Sequence, residues 1–202
     1  MKLYYSPGSC SLASHVALLA SEIKFEVEQV DTKAKKTKSG KDYSKINSKG
    51  YVPCLETNDG HFLTEGAVIL QYIADQAPDK KLLPKSGTWD RYRAQEWLNF
   101  IATEIHKNYS PLWNKDLPEA TKKAAIERLT NRIDWLSQQL KPGQFLMGSH
   151  FTVCDAYLFT VLNWSRSVKF DLTKWPNLMG YVEKVTNLPA VHSAMKAEGL
   201  TK

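Results

Sequence analysis

Residues 2 to 16 read Lys2-Leu3-Tyr4-Tyr5-Ser6-Pro7-Gly8-Ser9-Cys10-Ser11-Leu12-Ala13-Ser14-His15-Val16. Lys2 to Tyr5 reads as a short strand. Ser6-Pro7-Gly8-Ser9 is turn material. From Ser11 the apolar residues Leu12, Val16, Leu19 and Ala20 recur at helical spacing. A cysteine therefore falls where a strand turns into a helix. The first-turn N–H groups of a helix have no intrahelical partners and favour an anion at that end. A thiol placed there is expected to have a lowered pKa and to act as a thiolate. Ser11-Leu12-Ala13 follows Cys10, so no resolving cysteine stands three residues on. This argues against a thioredoxin-type disulfide reductase, and an oxidised Cys10 would need an external thiol as partner.

Working outward, Phe25 to Val30 alternates apolar and polar residues and predicts a half-buried strand. A lysine-rich stretch follows. Val52-Pro53-Cys54-Leu55-Glu56 and His61-Phe62-Leu63 flank Asn58-Asp59-Gly60, which predicts a β-hairpin. Thr64 and Glu65 open a second helix, with Val68, Ile69, Tyr72 and Ile73 as its apolar face, ending before Pro78. Residues 1–78 thus form one α/β domain and 79–88 a linker holding Pro84 and Gly87. Residues 89–202 read as helix throughout. Trp89 to Leu112 predicts one long amphipathic helix, and Glu119 to Leu140 another, stopped by Pro142-Gly143. Thr152-Val153-Cys154-Asp155 reads as a capping box before a helix that is apolar almost all round. Two short helices near Pro176 to Asn187 and Pro189 to Ala197 close the chain. The fold class is α/β followed by an all-α domain.

Composition narrows the function. The net charge is +6, yet Thr32 to Lys49 alone holds seven lysines against one acid, Asp42. The basic excess is one local patch. It suits a small anion better than nucleic acid, which needs many separated phosphate contacts. Three widely spaced cysteines make no disulfide framework and suit a reducing compartment. No stretch approaches the roughly twenty apolar residues needed to span a bilayer. The expectation is a cytoplasmic protein without membrane or nucleic-acid partners, and without a metal, since no C-x-x-C spacing occurs.

Three further elements carry chemistry. Val52-Pro53 precedes a strand, and a cis bond there would leave the Val52 N–H and C=O to pair with a bound peptide. Glu65-Gly66 opens a helix. The acid suits the helix dipole and could also accept from a ligand ammonium, while Gly66 allows backbone N–H groups to approach a carboxylate. Asn99, Thr103 and His106 fall at i, i+4 and i+7 of the long helix, with Lys107 beside them. The stripe reads equally as a solvated face for Asn99 and Thr103. His106 reads as a donor or proton-transfer group. Cys54 and Cys154 read as structural.

Taken together, Tyr4 to His15, Lys49-Gly50-Tyr51-Val52-Pro53, Leu63 to Ile69, Glu96-Trp97-Leu98-Asn99, Ile105-His106-Lys107 and Phe151 to Phe159 make the whole chain resemble a bacterial glutathione S-transferase of the beta class. The resemblance implies a thioredoxin-like N-terminal domain, a C-terminal helical bundle and a homodimer. It implies glutathione as co-substrate, with no other cofactor, bound between the two domains. Val52 beside a cis Pro53 would pair with the cysteinyl backbone, and Glu65 and Gly66 would hold the γ-glutamyl end. Lys35 would approach the glycyl carboxylate. Asn99, His106 and Lys107 would reach the ligand from the helical domain, and Glu104 from the partner subunit. Cys10 and His106 would be the catalytic pair, and Cys10 could form a mixed disulfide with glutathione. The implied reaction is conjugation of glutathione to small hydrophobic electrophiles held by residues such as Tyr109, Trp113 and Trp164. Two other uses of the same site remain: a glutathione-dependent thiol-disulfide oxidoreductase or dehydroascorbate reductase, and a non-catalytic ligand carrier. The chain departs from the family pattern at Tyr51, where a residue such as Gln is expected, and at Cys54 and Cys154, where Ala is expected.

Overall fold

A computed structural model describes residues Met1–Thr201. The chain divides into two compact units: Met1–Leu83 with the segment from Asn187 onward, and Pro84–Thr186.

The first unit is built on a five-stranded sheet. Its strands are β1 (Lys2–Tyr5), β2 (Glu26–Asp31), β3 (Lys36–Thr37), β4 (Cys54–Glu56) and β5 (Phe62–Thr64), in the order β3-β2-β1-β4-β5. β1 pairs parallel with β2 and antiparallel with β4. The parallel pair needs a crossover, which α1 (Ser11–Ser21) supplies. The β4–β5 hairpin turns at Asn58-Asp59-Gly60, where Gly60 has φ +82°. This glycine takes the left-handed conformation at little steric cost.

α1 and α2 (Gly66–Gln76) pack on one another. Two apolar faces differ from their sequence reading. In α2 the buried residues are Ile69, Leu70, Ile73 and Ala74, while Val68 is 44% exposed. In β2 only Val30 is buried, and Val27 lies open. α1 is buried nearly all round, from Ser11 to Leu18. The cause is a third partner, α8 (Pro189–Ala197), which lies against α1. The domain boundary therefore differs from the expected 89–202: residues from Asn187 onward belong with the sheet unit. α8 carries Val191, Ala194 and Met195 as a buried stripe, and covering α1 removes that apolar surface from water.

The second unit is helical. Its elements are α3 (Trp89–Phe100), a π-helical turn (Ile101–His106), α4 (Lys107–Trp113), α5 (Glu119–Gln139), α6 (Val153–Asn163) and α7 (Pro176–Thr186). The expected single helix from Trp89 to Leu112 is thus interrupted by i→i+5 bonding, a feature frequent at functional positions. The capping box forms as read: Asp155 Oδ2 accepts from Thr152 N at 2.8 Å and from Thr152 Oγ1 at 3.0 Å. Asp155 Oδ1 also accepts from Leu146 N at 2.8 Å and Tyr181 OH at 2.9 Å. Four donors satisfy one fully buried carboxyl, which answers the cost of burying it. Among the described residues, no helix is long and apolar enough to cross a membrane.

Candidate active site

Cys10 is the N-cap residue of α1, partly exposed, at φ −60° and ψ −19°. The loop before it is tied at both ends. Ser6 N donates to Ser11 Oγ at 3.2 Å, and Ser11 Oγ donates back to Ser6 O at 3.2 Å. Gly8 N donates to Glu198 Oε2 at 2.8 Å. The Cys10 thiol donates to Val52 O at 3.2 Å.

That bond leads to the segment Gly50-Tyr51-Val52-Pro53. The Val52–Pro53 peptide is cis. Each carbonyl before it is held by a different side chain. Lys35 Nζ donates to Gly50 O at 2.6 Å, Tyr43 OH and Asn47 Nδ2 donate to Tyr51 O at 3.0 and 2.7 Å, and Cys10 takes Val52 O. The Val52 N–H donates to no acceptor among the described residues. Beneath lies a cluster of Tyr4, Val30, Tyr43, Val52 and Cys54, which fixes the segment from below.

Glu65 sits at φ +69°, a conformation that costs a non-glycine residue on the order of 1–3 kcal/mol. Its carboxylate Oε1 accepts from Lys49 Nζ at 2.5 Å and Tyr51 OH at 2.9 Å. That carboxylate holds the Lys49 ammonium and Tyr51 hydroxyl pKa values above their usual range. A Cβ on Gly66 would meet Pro53 Cγ at 3.8 Å, an ordinary contact. Space therefore does not demand glycine at Gly66, and the position places the start of α2 beside Pro53. Cys10, Lys35, Glu65 and Gly66 thus each meet the segment from Gly50 to Pro53, which itself holds Val52 and Pro53, within the sheet unit.

The other predicted residues lie in the helical unit. Asn99 and Thr103 are exposed, and Thr103 Oγ1 donates to Asn99 O at 3.1 Å. Lys107 is exposed. Glu104 Oε2 accepts from Arg132 Nε at 2.6 Å. His106 is half-buried at the end of the π turn, its Nδ1 2.8 Å from Tyr157 OH and its ring 4.7 Å from that of Trp164. Burial, aided by the nearby Lys107 charge, pushes the His106 pKa down to about 4, so the ring is neutral at pH 7. Trp164 also meets Tyr109 and Trp113 edge-on, an aromatic group with His106 at its border. Cys54 and Cys154 are fully buried, with pKa values pushed up by burial to about 11 and about 12. Both are structural.

Sequence reasoning missed Tyr157 as the partner of His106, and Lys49 and Tyr51 as partners of Glu65. It also missed Glu198, which holds Gly8 across 190 residues of chain. Nothing local to Glu198 signals that contact.

The chain belongs to the glutathione S-transferase family. The family model described as Glutathione S-transferase, N-terminal domain matches residues 1–75, and that of the C-terminal domain matches residues 100–189. Within the family the chain resembles the bacterial beta class. It is 42% identical to glutathione S-transferase GstA of Escherichia coli O157:H7, over 99% of this chain and 100% of that protein. The beta-class glutathione S-transferase of Sphingomonas chungbukensis superposes with a TM-score of 0.95 at 40% identity, covering 100% of both chains. A sphingomonad glutathione S-transferase solved in complex with glutathione gives the same TM-score, identity and coverage.

Proposed function

We propose that this chain conjugates reduced glutathione to small hydrophobic electrophiles. As a member of its family it is a glutathione transferase; the electrophile class and the residue roles are the proposal. The observation that carries it is the Cys10–Val52–Glu65 arrangement. A partly exposed thiol, an open Val52 N–H and a carboxylate held in a costly backbone conformation lie along one segment. Those groups match the thiol, the backbone and the ammonium of a γ-glutamyl tripeptide. Lys35, already on the Gly50 carbonyl, supplies a cation for its glycyl carboxylate. Pro53 and Gly66 shape the backbone there, and Asn99, Glu104, His106 and Lys107 are assigned to the same ligand. The enzyme lowers the barrier by orienting thiolate and electrophile and by stabilising the sulfur anion. A homodimer working in the cytoplasm is part of the proposal.

The Cys10 thiol favours a second reading. Its sulfur can attack a mixed disulfide between glutathione and a substrate thiol. The substrate leaves as its thiolate, and glutathione remains on Cys10. A second glutathione thiolate then attacks that bond, releasing oxidised glutathione and restoring the Cys10 thiolate.

Mass spectrometry of the native protein tests both readings. A glutathione-mass adduct on the Cys10 peptide, lost on reduction, supports the site. Cys10→Ala then separates the chemistries: loss of disulfide exchange with conjugation retained assigns Cys10 to thiol exchange. Failure of the wild-type chain to bind immobilised glutathione would overturn the site itself.

A further inference from the structure

His106 ends the π turn Ile101–His106, which packs against α6, and Tyr157 stands on α6. Tyr157 is buried, and its OH lies 2.8 Å from His106 Nδ1. The rings of Tyr157 and Trp164 meet the imidazole nearly at right angles, 88° and 73°, with centroids 5.9 and 4.7 Å away. Trp164 is itself buried and packs edge-on against Tyr109 and Trp113. Turning the imidazole over would break the Nδ1 contact and disturb this packing, so the ring keeps one orientation. Among the described residues, Nε2 makes no hydrogen bond.

The contact at Nδ1 decides what Nε2 can do. A neutral imidazole has one protonated nitrogen and one acceptor nitrogen. Burial keeps His106 neutral at pH 7. Either Tyr157 donates to Nδ1 and the hydrogen sits on Nε2, or Nδ1–H donates to Tyr157 and Nε2 keeps a lone pair. The two arrangements differ in energy. A phenol is a much stronger acid than a neutral imidazole N–H, and an imidazole nitrogen is a much stronger base than a phenol oxygen. Donation by Tyr157 therefore joins the better donor to the better acceptor. The partner of one ring nitrogen in this way sets the state of the other.

We infer that Tyr157 locks His106 as the Nε2–H tautomer and so makes His106 a hydrogen-bond donor that cannot act as a base. The lock concerns the helical unit alone. The donor role rests on the proposed reading, in which His106 reaches glutathione. A ring held this way has no lone pair on the nitrogen away from Tyr157, so it takes no proton from a thiol there. Its N–H favours a sulfur anion, because a hydrogen bond to the charged form stabilises that form. Tyr157 is a positioning residue, acting only through His106.

The test reads the ring nitrogens of the full ¹⁵N-labelled chain by long-range ¹H–¹⁵N correlation at pH 7 without ligand. His106→Gln assigns the His106 signals among the five histidines. Nε2 is expected in the protonated range and Nδ1 in the acceptor range. Tyr157→Phe keeps the aromatic ring and removes the hydroxyl, and both nitrogens should then move toward the values of a tautomer mixture. Nε2 in the acceptor range in the wild type, or no movement of either nitrogen in Tyr157→Phe, would overturn the lock. Conjugation of chlorodinitrobenzene tests the donor role. An amide N–H can replace a donor but not a base, and a lost donor costs about a hundredfold in rate, so His106→Gln should remain at least about tenfold more active than His106→Leu. Equal loss in the two variants would overturn the donor role. A wild-type chain that binds no immobilised glutathione fails the reading on which that role rests, and the ligand-free spectra still decide the lock.

Discussion

His15 Nδ1 lies 2.9 Å from Glu198 Oε1, and both side chains are almost fully buried. The other oxygen of Glu198 holds Gly8 N at 2.8 Å. One carboxylate near the C-terminal end therefore ties α1 to the loop that presents Cys10.

Removing that carboxylate takes one acceptor from the buried His15 imidazole and one from the partly buried Gly8 N–H. A buried polar group left without its hydrogen-bond partner costs about 1–3 kcal/mol. Glu198→Ala should lower stability to urea by about that amount, and Glu198→Gln by less, since an amide still accepts from Gly8. Because the loop loses its anchor, Cys10 alkylation should also accelerate. Stability within about 0.5 kcal/mol of wild type in Glu198→Ala would show that the contact contributes little.

The three thiols should react in a strict order. Iodoacetamide at pH 7.5 should label Cys10 and leave Cys54 and Cys154 unmodified in the folded protein. The last two are buried, with pKa values of about 11 and about 12, so their thiolate fraction at that pH is negligible. Peptide mapping by mass spectrometry reads the outcome. Labelling of Cys154 at the Cys10 rate would contradict the burial.

His106 makes stability depend on pH with a definite sign. Its folded pKa is about 4, against roughly 6.5 in an unfolded chain. Between those values the unfolded state binds more protons, so stability rises with pH. The folded state is therefore undiminished above about pH 6.5 and loses up to about 3 kcal/mol as pH falls to 4. Urea titrations of wild type and His106→Gln at pH 7, 5.5 and 4.5 should show a gap that closes or inverts on acidification. A gap independent of pH would mean that His106 titrates normally.

Glu65 offers a separation of function. Glu65→Gly relieves a left-handed backbone cost of about 1–3 kcal/mol, partly offset by the greater freedom of glycine when unfolded. Stability should be unchanged or higher by up to about 1 kcal/mol. Glutathione affinity, measured by calorimetry, should fall at least tenfold, because the variant lacks the carboxylate proposed to accept from the γ-glutamyl ammonium. Tyr51→Phe removes one hydrogen bond to the same carboxylate and should have a smaller effect. Unaltered affinity in Glu65→Gly would remove Glu65 from the site.

Asp155 should be among the most sensitive positions in the helical unit. Asp155→Ala leaves the donors of Thr152, Leu146 and Tyr181 without their common acceptor. A lost helix cap costs about 1 kcal/mol, and each buried unsatisfied donor adds about 1–3 kcal/mol. A loss of at least 3 kcal/mol in urea denaturation is expected. A loss below about 1 kcal/mol would show that water replaces the carboxyl.

Local patterns in the chain were enough for the strand-turn-helix around Cys10, the Asp-Gly hairpin and the Thr152–Asp155 cap. Each depends on residues only a few positions apart, whose backbone preferences and hydrogen bonds act within one turn. Cys10, Val52, Glu65 and His106 stood out as candidates for a local reason too, since each lies at an element boundary or on a helix face. The π turn that ends at His106 was not legible, since nothing in Ile101 to His106 differs from an ordinary helical sequence. Nor was the exposure of Val68, because helical spacing allows two adjacent faces and only the partner surface chooses between them.

By itself, then, the amino-acid order determined which segments are strand or helix, where a thiol meets a helix start and which family the pattern matches. The tertiary structure alone decided that α8 closes over α1, that Glu198 anchors the Cys10 loop, that four side chains hold the carbonyls of residues 50 to 52 and that Tyr157 faces His106. These pairings join groups up to 190 residues apart. Their energy comes from burial and hydrogen bonds that exist only once the chain has packed, so no local preference encodes them.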